Sequence, residues 1–92
     1  MPARTSTDPS AEAFGAAVKK ARKERGISRD DLAHDIPRMD TAYLAAIERG
    51  AHAVTIPTAL RIAAALRMNL SELVRDLGPV TVPRDRPVGG TT

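Results

Sequence analysis

SRDDLAHDIPRMDTAYLAAIERG, residues 28–50, reads as two short helices joined by a tight turn. Ser28 opens the first. With Asp31 three residues on, it has the pattern of a capping box, in which hydroxyl and carboxylate take up backbone donors left orphaned at a helix start. Leu32, Ala33 and Ile36 then make one apolar face. Pro37 ends the run, because proline disfavours helical geometry in the residue before it and brings no N–H for a helical bond. Asp40 is a good N-cap for the second helix, whose apolar Leu44 and Ile47 sit three apart. Gly50 stands where a left-handed terminating residue is wanted. Helices this short do not hold together alone, so the flanking chain is expected to supply their core.

Upstream, Phe14, Ala17, Val18 and Ala21 fall at i, i+3, i+4 and i+7, one face of a helix that Pro9 or Ser10 can open and Gly26 closes. Lys19, Lys20, Lys23 and Arg25 crowd its remainder. Downstream, Thr55 caps a fourth helix with Pro57 in its first turn, and Ile56, Ala59, Leu60, Ala63 and Leu66 are its expected buried stripe. Asn69 and Glu72 form a second capping-box pattern. They open a fifth helix with Leu70, Leu73, Val74 and Leu77 on one face and Gly78-Pro79 as its stop. Residues 1–9 lack periodicity and read as a flexible arm; residues 79–92 read as an extended or disordered tail in which Val80-Thr81-Val82 has the makings of a short strand. The expected fold is all-α, a compact five-helix bundle over residues 10–78.

With Phe14 and Tyr43 the only aromatics, the core must come from Leu, Ile, Val and Ala, which suits close-packed helices. The absence of cysteine excludes disulfides and thiolate metal sites and fits a reducing cytosol. The start, MPARTSTDPS, has no apolar stretch of the signal-peptide kind, and no run is long enough to span a membrane. A soluble, cytoplasmic protein is expected. His34 and His52 lack a third ligand, so no metal or other cofactor is expected. Ser28 and His34 lie on different faces of one helix, there is no glycine-rich phosphate loop, and no enzyme is expected. The net charge is +3, but it is uneven. Residues 28–50 set Arg29, Arg38 and Arg49 against Asp30, Asp31, Asp35, Asp40 and Glu48, so the middle is slightly acidic between basic flanks. That runs against the basic footprint of a nucleic-acid binder.

Gly26-Ile27-Ser28, Leu32-Ala33, Tyr43-Leu44, Ile47-Glu48-Arg49-Gly50 and Leu60…Ala63…Leu66 resemble the Cro/repressor (xenobiotic-response-element, XRE) helix-turn-helix family, lambda-repressor-like in fold, over roughly Phe14 to Leu77. The resemblance implies a bacterial-type transcriptional regulator binding double-stranded DNA, with the second helix of the motif in the major groove. It places base-reading positions on Thr41 and Ala42, and on Ala45 or Ala46 a turn later, beside Tyr43. Alanines offer only methyl contact to thymine, so discrimination per monomer is expected to be modest. Backbone contacts are expected from Ser28, Arg29 and Arg38, with His52 in the following loop and Arg4 on the arm as further candidates.

Two departures stand out. The turn Ile36–Asp40, IPRMD, is one residue longer than the family's usual spacing, with proline in place of its glycine chemistry; Met39 is expected to plug the core between the helices. Arg67 stands where the family usually has glycine before the next N-cap, at a cost of about 1 kcal/mol if it must be left-handed. The resemblance also implies that Arg22 and Glu48 pair beneath the helices, a structural role. Val74 and Leu77 are the expected seam of a homodimer. The other function compatible with this sequence keeps the fold without the DNA: a protein-interaction module or antitoxin subunit with weak or no DNA binding, since fold alone does not fix function.

Overall fold

The computed structural model describes residues 9–77, which form α1 (Pro9–Glu24), α2 (Arg29–His34), α3 (Thr41–Glu48), α4 (Ile56–Ala65), α5 (Leu70–Leu73) and a 3-10 turn, Arg75–Leu77. No strand occurs among the described residues. Residues 1–8 of the expected arm, with Arg4, and the tail, with Val80-Thr81-Val82 and the Gly78-Pro79 stop, lie outside them; Pro9, expected in the arm, is the first residue of α1.

From α2 onward, each helix start is set by local side-chain chemistry. Ser28 Oγ accepts from the Asp31 N–H at 3.0 Å, Asp40 Oδ1 from Tyr43 at 2.7 Å and Thr55 Oγ1 from Thr58 at 3.3 Å. At α5 the reciprocal arm of the box is made, the Asn69 N–H donating to Glu72 Oε1 at 2.9 Å. Ends are equally regular. After α1, α3 and α4 the chain turns left-handed at Gly26, Gly50 and Arg67. Each closes a Schellman pair, as where Ala51 and Gly50 donate to the Ala46 and Ile47 carbonyls at 2.9 Å each. Arg67 does this at φ 62°, bearing the strain expected of a side chain there.

Val18, Leu32, Leu44, Ile47, Ile62 and Leu66 are fully buried and form the centre of the core. Ala21, Ala33, Ile36, Ala63 and Leu73 surround them, and Met39 packs against the cluster from the turn as expected. α1 lies directly on α3: a Cβ at Gly15 would run into the Ile47 carbonyl oxygen, so glycine is what lets the two backbones approach. Beyond the end of α3, a Cβ at Gly50 would sit 2.7 Å from Glu12 Cα.

Three expectations fail. Ile56 and Leu60, expected in α4's buried stripe, are 66% and 50% exposed; Ile62 is buried instead. The inward face is Ala59, Ile62, Ala63 and Leu66. The fifth helix is short, because Val74 leaves helical geometry at φ −100°, ψ 8° and the chain continues as a 3-10 turn. Glycine chemistry in the long turn falls to Arg38, not Pro37. Met39 N–H donates to the Ile36 carbonyl at 3.1 Å and Arg38 has φ 63°. This is a type II turn with proline at its second residue and arginine where glycine is the usual occupant. The extra residue is therefore absorbed within a standard turn, at a strain cost on the order of 1–2 kcal/mol for Arg38.

Candidate nucleic-acid interface

α3 is two-faced along its length as well as around it. Its first turn is open: Ala42 and Tyr43 are exposed and Thr41 is half-buried. Its second half is covered where α1 crosses, leaving Ala46, Ile47 and Glu48 buried. Ala45 stays half-exposed between them. Ala46, at 6% exposure, is thereby corrected from a reading position to a packing one. Arg49 is exposed at the C-cap of α3.

Around the open turn, polar groups are already engaged. Thr41 Oγ1 donates to Asp30 Oδ1 at 2.7 Å, tying the start of α3 to α2 and leaving the hydroxyl free only to accept. The Tyr43 ring lies 5.5 Å from that of His52, centroid to centroid and tilted by 42°. His52 is exposed in the loop after α3, as is Ser28 at the N-cap of α2.

Beneath this surface Glu48 holds two arginines. Its Oε2 accepts from Arg22 Nε at 2.7 Å and its Oε1 from Arg22 Nη2 at 3.2 Å, a two-pronged pair with both residues 7% exposed. Arg22 also donates to the Ile27 carbonyl at 3.0 Å. Arg29, expected only as a phosphate contact, shares this carboxylate, donating Nε to Oε1 at 3.1 Å. Its side chain remains 37% exposed, so the guanidinium is anchored at one edge and open at the other. The slightly acidic middle of the sequence thus resolves in part: Glu48 is inside and doubly matched, while Asp40 caps a helix. Asp30, Asp31 and Asp35 are not buried.

Two surface hollows adjoin the motif. A cleft of about 460 Å³ between the α2–α3 turn and α4 is lined by Pro37, Arg38, Met39, Tyr43, Thr58 and Arg61, with Ile36 behind them. A groove of about 350 Å³ on another side is mainly apolar and includes Phe14, Val54, Ile56, Leu70, Val74 and Leu77. Val74 and Leu77, both half-buried, thus share one apolar concavity with the exposed Ile56. No cluster of metal-ligating side chains occurs among the described residues. None of the described helices is long and apolar enough to cross a membrane.

This geometry has counterparts among known proteins. A family model described as a helix-turn-helix, HTH_3, matches residues 18–73. Among solved structures, the chain is similar to the clp gene regulator ClgR from Corynebacterium glutamicum, with 27% identity and a TM-score of 0.69 over 73% of this chain and 86% of that one. It is also similar to the restriction-modification controller protein C.AhdI from Aeromonas hydrophila, with 30% identity and a TM-score of 0.64 over 70% and 96% of the two chains. A third similar structure is the tetramer of the controller C.Esp1396I in complex with its natural 35 base-pair operator, with 27% identity and a TM-score of 0.66 over 73% and 87%. No curated protein matches the chain significantly.

Proposed function

The chain belongs to the HTH_3 helix-turn-helix family, and from that membership we propose that it is a transcriptional regulator that reads duplex DNA sites as a homodimer in the cytoplasm. The observation that carries this is the uncovered first turn of α3. A helix-turn-helix reads bases with the N-terminal residues of its second helix, and here those residues, Thr41 to Tyr43, are the open ones while the C-terminal half is held down by α1. Thr41 accepts from a base edge or water, and the methyl groups of Ala42 and Ala45 meet thymine methyls. Arg29 meets a phosphate with the edge of its guanidinium that Glu48 does not hold, and Ser28 and His52 flank it as lesser contacts. With no long polar side chain on the open turn other than Tyr43, sequence selection per subunit is modest, and half-site spacing and DNA shape carry the rest.

Such a division of labour needs two subunits. The groove formed by Val54, Ile56, Leu70, Val74 and Leu77 offers the apolar surface for a two-fold contact, extending the seam expected from Val74 and Leu77 alone. The similar controller that forms a tetramer on its operator supports assembly on DNA as a mode open to this architecture. The exposure of Ile56 and Leu60 also favours the second reading, in which the same face takes a different protein and DNA binding is weak. A salt titration separates the two. Binding to a random duplex at low salt should weaken steeply and log-linearly as salt rises, because displaced counterions drive it. Absence of any low-salt binding, with the fold intact, would leave the protein-interaction module.

A further inference from the structure

The cleft between the α2–α3 turn and α4 has chemistry that the reading helix lacks. Its lining holds two guanidinium groups, Arg38 and Arg61, two hydroxyls, Tyr43 and Thr58, and no carboxylate. Arg22, Arg25 and Arg29 are all committed to protein oxygens; neither Arg38 nor Arg61 makes an ion pair among the described residues. Thr58 and Arg61 are three apart on α4 and therefore share a face. The Thr58 hydroxyl oxygen already accepts from Thr55 Oγ1 at 3.1 Å, which leaves its own proton for an incoming acceptor. Arg38 keeps a left-handed backbone that glycine would adopt without strain, and strain retained at a surface turn points to a use for the side chain. Tyr43 belongs both to the open turn of α3 and to the wall of this cleft. Whatever lies along α3 therefore borders the cleft.

We propose that this cleft is a phosphodiester clamp: Arg38 and Arg61, with the Thr58 and Tyr43 hydroxyls, grip the DNA backbone beside the major groove that α3 enters. This rests on the DNA-binding reading above and adds Arg61 and Thr58 of α4 to its contact surface. The major groove is about 12 Å wide, so a helix seated in it has a sugar-phosphate strand on each side. Arg29 serves one strand and the cleft serves the other. Two guanidiniums with no carboxylate in the lining suit an anion, and a space of about 460 Å³ admits a sugar-phosphate unit, where a lone ion would be loosely held. The contact carries no base information; it fixes register and adds affinity.

The test uses the full chain and a fluorescent random-sequence duplex, with dissociation constants measured over a series of potassium chloride concentrations. Arg61→Gln and Arg38→Gln should each lower the slope of log affinity against log salt by about one, and the double variant by about two. Arg61→Lys should restore the slope, since a phosphate accepts a point charge. Lys20→Ala, which removes a cation lying beside Asp76 and Leu77, should leave it unchanged. Thermal melts run alongside show whether each variant is folded, and Arg38→Gly, which relieves the strained φ, should lose the contact without losing stability. If the parent chain binds and the slopes of the Arg61 and Arg38 variants equal its own, the clamp is wrong while the DNA reading stands. If the parent chain does not bind, the DNA reading itself fails. Saturable, submillimolar shifts of the Arg61 signals with inorganic phosphate, with unaltered DNA slopes, would make the cleft a free-anion site and overturn the clamp.

Discussion

Glu48 is the residue on which the motif's two tasks meet. It sits in the buried half of α3, fixes Arg22 beneath the core and holds Arg29 at the surface by one edge. A buried carboxylate is costly to desolvate and is tolerable only with its partners in place. Glu48→Ala leaves Arg22 buried without a counter-charge, and should destabilise the fold by about 3–5 kcal/mol. Urea denaturation followed by circular dichroism reads this directly; an unchanged midpoint would show that the pair contributes nothing. The same substitution frees Arg29 to wander, so any folded fraction should bind DNA with a shallower salt dependence than the parent. The pairing of Arg22 and Glu48 was legible from their family positions, but the capture of Arg29 was not. Nothing in a local window brings residues 29 and 48 together; only the packing of α2 across α3 does.

At the scale of elements, what the sequence made legible follows from how locally each feature is determined. Ser28, Asp40, Thr55 and Asn69 were identifiable as helix starts because a capping bond is closed within four residues. The face of α4 was not identifiable. Its sequence IPTALRIAAA is apolar on more than one side, and two stripes sharing Ala59 and Ala63 compete: one takes in Ile56 and Leu60, the other Ile62. Periodicity cannot choose between them; membership with Val18 and Leu66 in the core does. Gly15 was invisible for the same reason, since its requirement comes from the carbonyls of α3 rather than from its own helix. The division of α3 into an open and a covered half depends on that crossing too, which is why Ala46 looked like a reading residue. The division gives a sharp expectation. Ala42→Asp places an acid in the first turn of α3, where the helix dipole welcomes it, yet sets a negative charge against DNA phosphate. Melting temperature should hold or rise slightly while duplex affinity falls by roughly tenfold or more, the like-charge contact opposing the phosphate attraction. A loss of stability with unchanged affinity would mean that Ala42 faces the protein interior and not a ligand.

For the whole molecule, a bundle of this size leaves two surfaces to be explained: the open turn of α3 with its flanking cations, and the apolar groove bearing Ile56. The proposed division of roles sets the first against DNA and the second against another copy. Ile56→Ser with Leu60→Ser removes exposed apolar area without touching the core. It should therefore leave the unfolding midpoint of the monomer nearly unchanged while shifting sedimentation at high micromolar concentration from dimer to monomer. A parent chain that is monomeric under those conditions would remove the homodimer outright. Both surfaces matter less than whether the first turn of α3 meets DNA at all. Amide chemical-shift mapping of the labelled full chain during titration with a random duplex at low salt reads this residue by residue. The largest changes are expected at Ser28, Arg29 and Thr41 to Tyr43, with the amides of Ala46 to Glu48 and of α5 nearly still. Changes centred on Val54, Leu70, Val74 and Leu77, with the first turn of α3 unmoved, would contradict it.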